Sequence, residues 1–221
     1  MGGCQPTAAW RWERAEAGLP RQTVILALAV DPADPGRLWT GYYAPGGLGT
    51  SQDGGQTWSA GGQGLGDNPI FDLLALEGDQ IYAAVRDGLF RSGDGGTTWA
   101  TVSNALPPAP TFALAADGTG RLYVGLDDRG LYVGEPDGGN WTPLATEDTQ
   151  PDLATAGVVS VAISPDGAGI YAGTAGRGLF ASRDGGGTWT AAFPATARSS
   201  ACATSSSPPR RSAGWTRPSP A

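Results

Sequence analysis

The sequence predicts an all-β protein assembled from repeated four-stranded antiparallel sheets, the architecture of a β-propeller, and three observations predict it. An eight-residue segment recurs, with its tryptophans 41, 42 and 48 residues apart in the 221-residue chain. Ahead of each copy the same three strand-like runs return in the same order. Glycine and proline, at 36 and 18 residues about a quarter of the chain, keep register with those runs, whereas a low-complexity chain would scatter them. That much glycine and proline also leaves little room for the interiors of long helices.

Each repeat opens on a small apolar run: Leu26-Ala27-Leu28-Ala29-Val30, Leu73-Leu74-Ala75-Leu76, Phe112-Ala113-Leu114-Ala115 and Val159-Ser160-Val161-Ala162-Ile163. Turns such as Asp31-Pro32-Ala33-Asp34-Pro35-Gly36 and Ser164-Pro165-Asp166-Gly167 lead into an aromatic strand, as hairpins require. That second strand reads Leu38-Trp39-Thr40-Gly41, Ile81-Tyr82-Ala83-Ala84, Leu122-Tyr123-Val124-Gly125 and Ile170-Tyr171-Ala172-Gly173. The third is Gly88-Leu89-Phe90, Gly130-Leu131-Tyr132 and Gly178-Leu179-Phe180, with Gly47-Leu48-Gly49 as its weak member. The recurrent segment closes each meander, so the blades are expected at about 24–61, 69–102, 111–144 and 158–192. Repeats of this length and strand number mark propeller blades, and an Ala-rich first strand suits the crowded axis.

The segment itself is Ser51-Gln52-Asp53-Gly54-Gly55-Gln56-Thr57-Trp58, then Ser92-Gly93-Asp94-Gly95-Gly96-Thr97-Thr98-Trp99, then Ser182-Arg183-Asp184-Gly185-Gly186-Gly187-Thr188-Trp189. A degenerate copy, Gly134-Glu135-Pro136-Asp137-Gly138-Gly139-Asn140-Trp141, carries its Asp one place late. Ser-x-Asp-Gly-Gly-x-Thr-Trp resembles the Asp-box, or BNR, repeat of sialidase-like propellers. That superfamily includes sialidases, xyloglucan-type glucanases, sorting-receptor luminal domains and photosystem II assembly-factor propellers. The resemblance covers about residues 8–192 and implies that the box joins the third and fourth strands, opposite the usual binding face. Its Asp is expected to accept backbone amides of its own turn, its glycines to supply positive φ, and its Trp to pack between sheets. The box residues are therefore structural.

Charge divides the chain. All 21 acidic residues and ten of the fourteen arginines lie in residues 1–189, whereas residues 190–221 hold four arginines and no acid. An acidic body argues against nucleic acid as a partner, since that affinity comes from clustered cations. With no histidine, and with Cys4 and Cys202 at opposite ends, zinc sites and His-based triads are excluded; no metal or cofactor is implied. Met1-Gly2-Gly3-Cys4 resembles the end of a bacterial lipoprotein signal, which would make Cys4 a lipid anchor and place the protein in the cell envelope; the alternatives are an ordinary flexible terminus and a cytoplasmic location. No run is apolar enough to be a transmembrane segment. Residues 1–7 form a flexible start, and within 8–23 Trp10-Arg11-Trp12 reads as the outer strand of a preceding blade. Residues 193–221 read as a disordered basic tail or a frameshift product, and the abrupt change of composition favours the latter. The propeller is then incomplete, with end sheets open to self-association.

Chemistry is expected on the face opposite the boxes. The second-to-third-strand hairpins carry Arg86, Arg129 and Arg177 beside glycines, and guanidinium forks suit carboxylates and phosphates; the alternative is three solvated hairpin residues. The longest interblade connection, about 145–157, carries Glu147, Asp148 and Asp152. Asp128 and Asp152 are the weak catalytic candidates, because a glycosidase needs two suitably spaced carboxyls. Sialidases also use an Arg-Ile-Pro segment, which does not occur here. Tyr82, Tyr123 and Tyr171 share one strand phase and read as packing. The function expected is a non-catalytic scaffold that binds a protein segment or a glycan; the alternative is a glycoside hydrolase or an inactive remnant of one.

Overall fold

The computed structural model describes residues 13–102, 106–135, 137 and 139–194. Cys4, Trp10-Arg11-Trp12 and nearly all of the basic tail lie outside them. The first sheet comprises β1 (Val24–Val30), β2 (Leu38–Ala44), β3 (Gly47–Ser51) and β4 (Ser59–Gly61). The second comprises β5 (Ile70–Ala75), β6 (Ile81–Val85), β7 (Gly88–Ser92) and β8 (Ala100–Thr101), and the third β9 (Thr111–Ala116), β10 (Leu122–Leu126), β11 (Gly130–Gly134) and β12 (Thr142–Pro143). One helical turn, α1 (Pro151–Ala154), precedes the fourth, made of β13 (Val158–Ile163), β14 (Ile170–Thr174), β15 (Gly178–Ser182) and β16 (Thr190–Pro194). Every sheet is an antiparallel meander in chain order.

The first strands β1, β5, β9 and β13 contact one another in sequence and so line the axis. The cores lie between sheets. Trp39 and Leu48 of the first blade pack with Ile70, Leu73 and Ala83 of the second. Tyr82, Ala84 and Leu89 of the second then pack with Leu114 and Val124 of the third, and Tyr123 and Leu131 of the third with Val158 and Ala172 of the fourth. Alternate residues of one strand thus serve opposite neighbours, which is why β6 and β10 are buried at every position. The sheets do not close into a ring. Among the described residues, the large apolar ones left exposed lie on the first and fourth blades: Val24, Ile25, Leu26, Leu28, Val30 and Tyr43 on one, Val159 and Tyr171 on the other.

The three full boxes share one geometry. The Ser hydroxyl donates to the Asp Oδ1 at 2.8 Å in each and accepts the N–H of the second glycine at 2.8–2.9 Å. The Thr N–H reaches Oδ1 at 2.8–2.9 Å, and its hydroxyl reaches Oδ2 at 2.6 Å. Serine and threonine side chains therefore join the backbone amides in satisfying the carboxylate. The hydrogen bonds, led by that of the Thr hydroxyl, hold Asp53, Asp94 and Asp184 at about 2. Gly96 must be glycine, because at φ +87° an added Cβ would meet Trp39 Nε1 at 2.8 Å. That indole crosses from the first blade to donate to Gly95 O at 3.0 Å.

The box tryptophans receive the connection arriving from the previous blade. Trp99 N–H bonds Gln63 O, and Trp58 N–H bonds Ala17 O, both at 2.8 Å. Leu65 and Leu19 close the same i→i+3 turn two residues later. Residues 15–19 thus sit on the first blade as an interblade connection does. In the third blade Gly134 replaces the Ser, since any Cβ there would meet the Trp141 ring at 2.5 Å, and the Asp137 carboxylate takes the Gly139 N–H at 3.0 Å. That blade is tied instead at its other turn on the same side. Buried Asp117 accepts bonds from Thr119, from Arg121 Nε at 2.8 Å and from the Tyr123 hydroxyl at 3.1 Å. Burial alone would raise the Asp117 carboxyl, but those bonds prevail and hold it at about 2.

Ser92 is fully buried, so Ser92→Ala strands the Gly96 N–H and is expected to lower unfolding free energy by about 1–3 kcal/mol, read by urea denaturation. The box carboxylates also set an acid limit. Their folded pKa lies below the ordinary 3.8, so their stabilisation is complete above that value and is lost as pH falls toward about 2. The urea midpoint is expected to drop across this window. In Asp53→Asn/Asp94→Asn/Asp184→Asn it starts lower at neutral pH and varies less with acid.

Candidate binding face

The side of the sheets opposite the boxes is built from the hairpins between second and third strands and from the connections that enter each first strand. Backbone bonds fasten the two together: Gly47 N–H to Asn68 O at 3.1 Å, Asp127 N–H to Pro110 O and Gly130 N–H to Ala156 O at 2.9 Å, and Ala175 N–H to Gly157 O at 2.8 Å. The face is a fixed surface for that reason, although its side chains are loop side chains.

Arg86, Arg129 and Arg177 sit at equivalent hairpins on the second, third and fourth blades, all exposed. They differ in engagement. Arg177 donates to Asp152 O at 3.0 Å and to Thr155 Oγ1 at 2.7 Å, and Asp152 Oδ1 lies 3.9 Å away. It thereby pins α1, which occupies the long connection. Arg86 and Arg129 have no ion pair or side-chain hydrogen bond among the described residues. Asp128 stands at the tip of its hairpin with φ +51°, and Asp152 is exposed on α1. The hairpin that carries Asp128 lies against α1, since an added Cβ at Gly130 would meet Leu153 O at 2.7 Å and Ala154 O at 3.1 Å.

Three features of this face escaped sequence reading. Between the second and third blades, beside the Arg86 hairpin, lies a crevice of about 110 Å³ lined by Leu89, Leu106, Pro107, Pro108, Ala109 and Leu126, with Asp87 at its edge. The hydroxyl of Thr111 is buried in its wall and finds no hydrogen-bond partner. Toward the axis an aromatic row runs across three blades: Tyr43 and Phe71 at 6.2 Å between ring centroids, then Phe71 and Phe112 edge to face at 4.9 Å. Phe71 is the bulged residue of β5, where register shifts between Ile70 and Asp72. Asp72 beside it accepts the N–H of Leu73 at 2.9 Å and of Leu114, on the next blade, at 2.8 Å. Burial raises its carboxyl above the usual range against the pull of those bonds.

The box side offers a larger cleft of about 440 Å³ at Arg37 and Trp39. Its guanidinium is already committed to Asp31, at 3.4 Å, and to Asp79 of the next blade. Among the described residues no three acidic, Cys or His side chains gather to hold a metal ion, and no helix is long and apolar enough to cross a membrane.

No protein-family model and no curated protein matches the chain. Solved structures do. YCF48 from Cyanidioschyzon merolae superposes with a TM-score of 0.59 at 22% identity, over 79% of this chain and 57% of that one. The GH74 xyloglucanase from Xanthomonas campestris gives 0.59 at 23%, over 74% of this chain and 29% of the enzyme. An extracellular domain assigned to a one component system of B. thetaiotaomicron gives 0.64 at 20%, over 82% and 23%. The chain therefore spans between 23% and 57% of the length of these three. Such identities speak for the fold alone, and with three boxes on the hairpins between third and fourth strands, that fold is the Asp-box β-propeller.

Proposed function

We propose that the chain is a non-catalytic binding module that captures an acidic protein segment on the face opposite its boxes. The crevice between the second and third blades carries this reading. Its walls are leucine, proline and alanine, which suit one aliphatic side chain better than a ring of sugar hydroxyls. Arg86 and Arg129 lie on the hairpins of the same two blades, next to Asp87 and three residues from Leu126 of its lining, with no ion pair among the described residues. A peptide that inserts an apolar residue would therefore find two guanidinium groups available to its carboxylates. Arg177 plays a different part in this scheme, holding α1 against the fourth blade. A location outside the cytoplasm accords with the likeness to an extracellular domain. The hydrolase alternative draws on the likeness to a xyloglucanase and would rest on two exposed carboxylates, Asp128 at a hairpin tip and Asp152 on α1.

The test is selection from a random-peptide display library. The chain is expected to enrich peptides with an apolar residue flanked by acids, and Arg86→Glu/Arg129→Glu to weaken their binding by about tenfold or more, as loss of charge-assisted bonds does, with an unchanged far-ultraviolet circular dichroism spectrum. Binding that survives the double substitution overturns the reading.

A further inference from the structure

The two open ends of the arc carry the two halves of the packing that joins its blades. At each internal junction the second-strand aromatic of one blade is covered by the next: Trp39 and Tyr123 are 1% exposed and Tyr82 is 0%. Tyr171, at the same register in the fourth blade, is 44% exposed. On the other side of the junctions the first strand supplies Leu73 at 6%, Leu114 at 8% and, in the fourth blade, the partly buried Val161, whereas Leu28 at that register in the first blade is 61% exposed. The fourth blade therefore presents an unmatched leading face, and the first an unmatched trailing one.

A knob and a socket sharpen the match. Gly41 of the first blade lies so close to Ile70 of the second that an added Cβ would meet its Cγ2 at 2.5 Å. Gly125 of the third blade receives Val158 of the fourth in the same way, with Cγ1 at 2.8 Å. The fourth blade repeats the socket at Gly173, whose nearest neighbour is Ser160 of its own sheet at 3.4 Å. The first blade repeats the knob at Ile25, paired with Tyr42 as Ile70 is with Val85. Ile25 is 45% exposed, against 0% for Ile70 and Val158. The Tyr42 side chain lies over Gly49 and Thr40, which leaves the contact to the inner half of the sheet.

We infer that these faces mate between two copies of the chain, the fourth blade of one seating on the first blade of the other with Ile25 on Gly173. The occupant is a second copy because the joint continues, at the same register, the interface that already joins the blades within one chain. Such a head-to-tail contact makes a ring when it closes and an open string when it does not. Two copies would contribute eight blades, within the range at which propellers close.

Sedimentation of the chain over a range of concentrations tests this. Twice the chain mass, or a head-to-tail series above it, is the expected result. A monomer at every concentration overturns the inference and means that another part of the chain covers both faces. Ile25→Asp/Leu28→Asp spoils only the trailing face, and Tyr171→Asp/Gly173→Asp only the leading one. Each variant should keep its circular dichroism spectrum and thermal midpoint. Neither should close a ring alone, and an equimolar mixture should form a one-to-one heterodimer through the one intact pair of faces. Variants that still assemble alone to the full extent, or a mixture that stays monomeric, exclude the head-to-tail joint.

Discussion

A four-stranded sheet this small has two apolar faces and cannot bury either by itself. Everything else in the chain follows from the way one sheet is pressed against the next. Because Tyr82 and Ala84 look toward one neighbour while Ile81, Ala83 and Val85 look toward the other, a middle strand has no solvent side, and nearly every residue in it is small, β-branched or aromatic. The polar work is displaced to the ends of the strands. There Ser, Asp and Thr satisfy one another and the amides of the tight turn, and the indole beside them is positioned to receive the incoming connection.

Division of labour between the two sides of the propeller is a consequence. On one side the box and the first turn are locked by bonds such as Gly54 N–H to Gly36 O at 2.8 Å and Gly185 N–H to Ala168 O at 3.0 Å. The third blade has lost its box serine and relies on Asp117 with Arg121 and Tyr123 at the turn beside it. On the opposite side the hairpins are fastened mainly by backbone bonds, with side-chain ties in the fourth blade through Thr174 and Arg177. Arg86 and Arg129 project there, and so do the rings of Tyr43, Phe71 and Phe112.

The fold was legible because its signals are local. A box of eight residues and three short strand patterns each announce themselves without reference to anything distant, and their recurrence supplies the sheet count. What was hidden depends on neighbours. Tyr171 has the same sequence context as Tyr82 and Tyr123, yet it is exposed, because burial at that position is conferred by the following blade. Arg177 looked like Arg129 until α1 appeared beneath it. Pro151 at the start of that turn and Asp152 within it are ordinary helix-start signals, but four residues are too few to show a helical period. The Asp117 turn had a usable cue in Asp117-Gly118-Thr119-Gly120, a pattern in which a carboxylate bonds the backbone two residues on.

The spacing of 41, 42 and 48 residues between box tryptophans has a kinetic meaning. Bonds inside a box span two to four residues, and contacts between adjacent blades reach back by about one repeat, so no essential contact waits for the whole chain. The loop-closure entropy that slows most all-β topologies is bounded by the repeat and does not grow with length. A blade can dock on its predecessor as soon as it leaves the ribosome, and growth proceeds in equal steps. The step that lacks this advantage is the last one, where the final sheet must find a partner that is not next to it in sequence. An arc waiting at that point shows water an apolar sheet face, and chaperones or neighbouring chains have their opportunity there.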